Sequence, residues 1–288
     1  MFKKLINTAK IPFSNYYILT LVVMFLLLIG IFFAFNAREE NAYSEEEIVQ
    51  FNFSINGKHY IIPSPFHSFD YLNIMGFSWV KLVEVKNTSD YPNESQIALN
   101  LGMRAADGII LLFANQKDEA RQTRTTVLEL SEKLGIIPDI REAITFIDQA
   151  VITNADKSIL SDRLLFLEYQ IEKSLHKKKK DNLAVLVELG GWLEGLHIVS
   201  KGISENYNPI YAEILRQPHI AEIYIEVITS LSNRSDNENE KQLLQGIVVH
   251  LEQIYNLTNH SLKEAFPLTK VKELHSNSAI LKKLIESK

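Results

Sequence analysis

An uncharged, apolar run near the start of the chain is the feature that most limits what this sequence can fold into. No acidic or basic residue occurs from Ile11 to Ala37, and the segment from Tyr16 to Phe35 is almost entirely apolar. About 20 such residues cross the hydrocarbon core of a bilayer as a helix. The sequence therefore predicts one transmembrane helix over residues 16–36, held by the lipid bilayer.

The charges on either side of this run predict its orientation. Lys3, Lys4 and Lys10 precede it, whereas the segment from Arg38 to Glu47 that follows is mainly acidic. Positively charged flanks stay in the cytoplasm. We therefore expect a cytoplasmic N-terminus over residues 1–15, a linker over residues 37–50, and an extracytoplasmic remainder at the cytoplasmic (inner) membrane.

A cleaved signal peptide is the alternative interpretation of the same run. The apolar part of a signal usually has about 7 to 15 residues and ends in small residues. This run is longer, and cleavage after Ala37 would place bulky Phe35 at a position that needs a small side chain. The pattern favours an uncleaved signal-anchor.

Because the chain has no cysteine, lipidation at cysteine, disulfides and thiolate metal ligands are excluded.

The charge outside the anchor argues against nucleic-acid binding. The chain has 30 basic and 35 acidic residues, so 27 basic residues remain after the three N-terminal lysines are set apart, and the net charge beyond the anchor is −8. A protein that binds phosphate backbones needs a positive surface. We expect no nucleic-acid partner.

The remaining sequence predicts a mainly α domain. Residues 51–94 show a β-hairpin pattern with an Asn56-Gly57 turn, then a short helix from Ser68 to Trp79. Residues 95–288 show helical periodicity with short connections, which is typical of an antiparallel multi-helix bundle. We predict helices near residues 95–115, 117–134, 138–153, 156–177, 181–203, 208–231, 238–258 and 277–287.

Two of these predicted helices hold the candidate site. The first is apolar nearly all round, with Asn100, Arg104 and Asp107 along one stripe, and the second carries Glu188. Buried charges need partners, so we expect Arg104 to pair with Asp107 and to approach Glu188. The four residues form either a structural network or the wall of a ligand pocket. The glycines of both helices suggest close packing between the helices.

Three strings in this region carry a resemblance to a known group of proteins. QIALNLGMRAADGI (Gln96 to Ile109), LGGWLEG (Leu189 to Gly195) and LRQP (Leu215 to Pro218) resemble an uncharacterised family of helical bacterial proteins that are exported or membrane-anchored. The similarity covers roughly residues 60–230. It implies a bacterial, extracytoplasmic, helical protein, and it implies no activity.

Glu194 and His197 form the one pattern that suggests catalysis. Their E-x-x-H spacing places both side chains on one helical face, as in di-iron bundles, but a second such motif is absent from the sequence. Nucleophile-elbow, zincin and nucleotide-binding motifs are also absent. We expect no cofactor. The leading hypothesis is a non-enzymatic binding or scaffolding module of the cell envelope, with an envelope protein or ligand as partner, and the alternative is a metal-dependent enzyme using Glu194 and His197.

Overall fold

The computed structural model describes residues 50–55, 58–63, 82–86, 90–259 and 264–287. The predicted transmembrane helix, the linker before residue 50 and the short helix from Ser68 to Trp79 lie outside the described residues. The described chain is mainly α-helical, as the sequence predicts.

Two short strands precede the helices. Strand β1 (Gln50–Ile55) pairs antiparallel with β2 (Lys58–Pro63), and Phe53 lies opposite Tyr60. Tyr60 packs against the edge of the helical core. Residues 56 and 57 between the strands lie outside the described residues.

The helices follow one another with short connections. They are α1 (Glu94–Phe113), α2 (Lys117–Lys133), α3 (Ile137–Ile152), α4 (Lys157–Lys177), α5 (Asp181–Glu205), α6 (Pro209–Ala212), a 3-10 turn (Glu213–Leu215), α7 (Pro218–Arg234), α8 (Glu238–Thr258) and α9 (Leu268–Glu286). The pairs α1–α2, α3–α4 and α7–α8 pack side by side as helical hairpins. Helix α5 lies at the centre, packed on α1, α4 and α9.

Local signals explain where several helices begin and end. The side chain of Asn93 accepts a hydrogen bond from the backbone N–H of Gln96 and caps α1, and Asn237 caps α8 through Glu240 in the same way. Gly135 between α2 and α3 has a φ of +73°, a conformation that glycine adopts without steric cost.

Helices α1 and α5 are in backbone contact. A Cβ atom placed on Gly102 would lie 1.8 Å from the carbonyl oxygen of Val187, and one on Gly190 would lie 2.0 Å from the carbonyl oxygen of Leu99. No other residue type fits at these two positions without moving a helix. The close packing expected from the glycines of the two helices is therefore present at Gly102 and Gly190.

Two helix boundaries differ from the sequence-based expectation. The helix expected over residues 208–231 is broken, because Pro218 has no backbone N–H to donate and begins a new helix, α7. The last helix begins at Leu268 and not near residue 277. Its first two turns look polar in sequence, but Val271 and Leu274 are fully buried in the bundle.

Within the described residues, α1 and α5 are long and apolar enough to cross a membrane by length and composition. Most residues of α1 and nearly all residues of α5 are buried in the bundle. Core helices of globular domains share these properties, so the two helices form the centre of the bundle.

Candidate ligand-binding site

Arg104 lies in a buried ion network between α1, α5 and α9. Its side chain is 1% exposed, and its guanidinium lies 3.0 Å from the carboxylate of Asp107 and 3.1 Å from that of Glu286. A third carboxylate, that of Glu194, lies 3.9 Å away. The expected pairing with Asp107 is present, and the two further partners come from α5 and α9.

The pKa values of two carboxyl groups in this network are shifted in opposite directions. Burial and the nearby Glu194 carboxylate raise the pKa of Asp107 well above its ordinary value. Burial also acts to raise the pKa of Glu194. The positive charges of Lys282 and Arg104 outweigh this effect and lower the pKa of Glu194. The Nζ atom of Lys282 lies 2.5 Å from Glu194 Oε1. The two shifts favour a proton on Asp107 and a charge on Glu194, and the two carboxyl groups are hydrogen-bonded to each other. This bond explains why Oδ1 of Asp107 and Oε2 of Glu194 find no N–H or O–H donor elsewhere.

Asn100 holds the C-terminal end of α9 against α1. Its amide Nδ2 donates to the carbonyl oxygen of Ile285 over 3.3 Å, and Gln96 Nε2 donates to the carbonyl oxygens of Ile285 and Ser287 over 3.2 and 2.7 Å. The last carbonyl groups of a helix have no partners within it. Gln96, Asn100 and Arg104 therefore bind the end of α9 and its acidic side chain Glu286.

Glu188 is not a partner of Arg104. Its carboxyl group is hydrogen-bonded to that of Glu168 on α4, and Glu172 lies nearby. The sequence predicted that Glu188 approaches Arg104, because both helices are buried. In the structure the two side chains leave α5 and α1 in different directions. Burial, followed by the charges of Glu168 and Glu172, raises the pKa of Glu188 well above its ordinary value.

Glu188 and Glu168 line an apolar cavity between α1, α2, α3, α4 and α5. Its volume is about 300 Å³. Most of its wall is aliphatic, from Ile109, Val127, Ile147, Leu164, Ile171 and Val187. Ile152, also on the wall, is 77% exposed, so the cavity reaches solvent near the end of α3. Protein interiors are otherwise close-packed, and a cavity of this size is typical of a small-molecule site.

Small residues of α1 create this space. Gly102, Ala105, Ala106 and Gly108 all line the cavity. Every residue from Ser95 to Leu111 is buried except two, Ala105 and Gly108, which are half-buried. The face of α1 that packs on α5 through Gly102 thus continues into the cavity as a row of small side chains.

Two of the basic residues at the cavity are paired with acids. Arg124 lies 2.5 Å from the carboxylate of Asp148, and Arg121 lies 2.9 Å from that of Asp118. Lys117 donates to the carbonyl oxygen of Val151 over 3.1 Å. Glu188, in contrast, has no basic side chain of the described residues within ion-pair distance. Glu188 is thus a buried acid on the cavity wall whose neighbouring charged groups are other acids.

Glu194 and His197 are engaged with other side chains. Glu194 is bound by Lys282, while Nδ1 of His197 lies 3.1 Å from Ser278 Oγ and its ring stacks on His275 with centroids 4.7 Å apart. Burial and the charge of Lys282 lower the pKa of His197 to about 3. Among the described residues, no three His, Cys, Asp or Glu side chains are arranged to hold a metal ion.

Sequence reasoning found two parts of this arrangement and missed the rest. It selected Glu188 and the Arg104–Asp107 pair, but not Glu168 or Lys282. Glu168 and Glu172 stand four residues apart on α4, a spacing that puts two acids on one face. This signal was available, but the sequence does not reveal that α4 packs on α5.

Comparison with known proteins gives no relative. No protein-family model, curated protein or solved structure matches the chain.

Proposed function

We propose that this protein is a non-enzymatic binding module of the bacterial cell envelope that holds a small apolar ligand. The cavity of about 300 Å³ that α1 to α5 enclose carries this proposal. Its aliphatic wall favours an apolar occupant, because burial of apolar surface stabilises a complex by about 25 cal/mol per Å².

The proposed location follows from the sequence alone. Residues 16–36 anchor the chain in the cytoplasmic membrane, with residues 1–15 inside and the helical domain outside. Alkaline carbonate extraction should leave the full chain in the membrane pellet, and a C-terminal tag should be cleaved by protease added outside spheroplasts. Release by carbonate, or a protected tag in intact spheroplasts that becomes cleavable on lysis, would contradict the location.

Ligand binding is tested with a neutral apolar probe. The full chain in nanodiscs should gain thermal stability in the presence of n-propylbenzene, because a ligand that binds only the folded state raises the unfolding temperature. Ala105→Leu fills the cavity from α1 and should abolish this gain.

The matched control is Ala279→Leu, a half-buried alanine on α9 that does not line the cavity. This variant should keep the gain. Equal gains in the Ala105→Leu and Ala279→Leu proteins, or no gain in the unmodified protein, would contradict binding in the cavity.

A further inference from the structure

The acidic pair on the cavity wall identifies the chemical class of the ligand. We propose that the cavity takes a small apolar amine, whose protonated nitrogen lies against the carboxyl groups of Glu168 and Glu188 while its hydrocarbon body fills the aliphatic part. This inference rests on the proposed function, since it assigns the occupant of the same cavity.

Burial makes the acidic pair unusual. Glu188 is 7% exposed, and its hydrogen-bond partner is another carboxyl group. Taking a carboxylate out of water costs several kcal/mol unless a cation compensates it. No basic side chain of the described part of the chain compensates Glu188, so a proton held between Glu188 and Glu168 fills that role in the empty cavity, and a bound ammonium group would replace it.

The surroundings of the pair favour a cation over an anion. Glu172 of α4 adds a third acid next to Glu188, and the buried phenol of Tyr224 on α7 is within range of the charges of Glu188 and Glu168. On the α2 and α3 side of the cavity, Arg124 is already neutralised by Asp148. An anionic group placed beside Glu188 would thus meet other acids.

The lining also favours an organic cation over a metal ion. The described acidic side chains form no set of three arranged to hold a metal ion. An ammonium group needs fewer acceptors, and the aliphatic wall offers the rest of the ligand a place that a bare ion would not use. The volume of about 300 Å³ lies at the small end of ligand pockets, which favours one small molecule over a two-chain lipid.

Three probes of similar shape and different charge test the inference. They are 2-phenylethylamine (cationic), n-propylbenzene (neutral) and 3-phenylpropanoate (anionic), each titrated calorimetrically into the full chain in nanodiscs with empty nanodiscs as the blank. We expect the amine to bind at least 10-fold more tightly than propylbenzene, and the carboxylate to bind more weakly than either.

Glu188→Gln provides the matched variant, because it keeps the shape of the side chain and removes its ability to ionise when an ammonium group binds. It should weaken amine binding at least 10-fold and leave propylbenzene binding within 2-fold of the unmodified protein. Retained propylbenzene binding also shows that the variant is folded. An unchanged preference for the amine in Glu188→Gln would overturn the inference.

The pH dependence is a second readout. An alkylamine, like lysine, keeps its proton below about pH 10, so only the protein titrates between pH 5.5 and 8.5. Ionised carboxyl groups bind an ammonium better than neutral ones do, so amine affinity should rise with pH while propylbenzene affinity stays constant. Amine affinity that is flat or falls with pH would overturn the inference.

The outcomes separate this inference from the proposed function. If propylbenzene binds and the amine shows no advantage, the ligand class is wrong and the cavity remains a binding site. If none of the three probes binds, the proposed function fails as well.

Discussion

A methyl group on Gly102 would lie 1.8 Å from the carbonyl oxygen of Val187, well inside van der Waals contact. The same position faces the backbone nitrogen of Gly191 at 2.8 Å. Neither neighbour is a side chain that can rotate away. The packing of α1 on α5, and with it the cavity wall formed by Val187 and Gly191, therefore depends on a hydrogen atom at Gly102.

Gly102→Ala should destabilise the fold, because two backbones must separate. Overpacking of a core costs about 1–3 kcal/mol, and we expect a loss in the free energy of unfolding at or above the upper end of this range. The control is Gly108→Ala on the same helix, whose added Cβ would meet Thr123 Cγ2 at an ordinary 3.5 Å. This change should be neutral or stabilising by up to about 1 kcal/mol, owing to the better helix propensity of alanine. Thermal unfolding followed by circular dichroism measures both, and equal unfolding temperatures would contradict the packing described.

Arg104→Ala tests whether the ion network is structural. The change leaves Glu286 and the Asp107–Glu194 pair with less cationic compensation, so we expect a loss of about 3–5 kcal/mol in the free energy of unfolding. Propylbenzene affinity of the folded fraction should not change, since Arg104 does not line the cavity.

The control for this variant is Arg121→Ala, which breaks an exposed ion pair with Asp118. Exposed pairs contribute little, so the loss should stay below about 1 kcal/mol. A stable Arg104→Ala protein that no longer binds propylbenzene would mean that Arg104 belongs to the ligand site.

Glu172 predicts a specific pH dependence of stability. Burial raises its pKa from 4.5 to about 7, even though nearby His176 acts to lower it. Between these values the folded protein holds a proton that the unfolded chain has lost, so stability falls as pH rises from 4.5 to about 7. Glu172→Gln should make this fall shallower in chemical denaturation at a series of pH values. An unchanged slope would show that Glu172 titrates normally.

His197 should be neutral in the folded protein at every pH above about 3, because burial and the charge of Lys282 lower its pKa. Nuclear magnetic resonance of the imidazole ring, assigned by comparison with His197→Gln, should show no titration between pH 4 and 8. The same ring in urea-unfolded protein should titrate near pH 6.5. Protonation of folded His197 near pH 6 would refute the described surroundings of α5.

The bundle was predictable to the extent that local signals determine it. Periodicity and capping residues predicted α1 to α5 and α8 within two residues at most ends, and the glycines predicted the contact of α1 with α5. The break before Pro218 was available as a local signal. The start of α9 was not, because its burial depends on packing against α5 and α8.

The candidate site was predictable in part for the same reason. Arg104 and Asp107 stand one turn apart, so their pairing follows from helix geometry. The pairing of Glu188 with Glu168 joins two helices, and a single sequence contains no information on which helices become neighbours. The cavity is harder to predict from the sequence than the pairing of Glu188 with Glu168. It is a space next to small residues of α1, and no pattern of residues in the sequence marks it.

A crystal structure of the full chain soaked with 2-(4-bromophenyl)ethylamine tests the central claim most directly. Bromine scatters anomalously and locates the ring without bias. We predict a bromine peak among the aliphatic side chains of the cavity, with the amine nitrogen within hydrogen-bond distance of the Glu188 carboxyl group. An empty cavity at a saturating concentration of the amine, or a bound molecule with its nitrogen turned away from Glu188 and Glu168, would contradict the account.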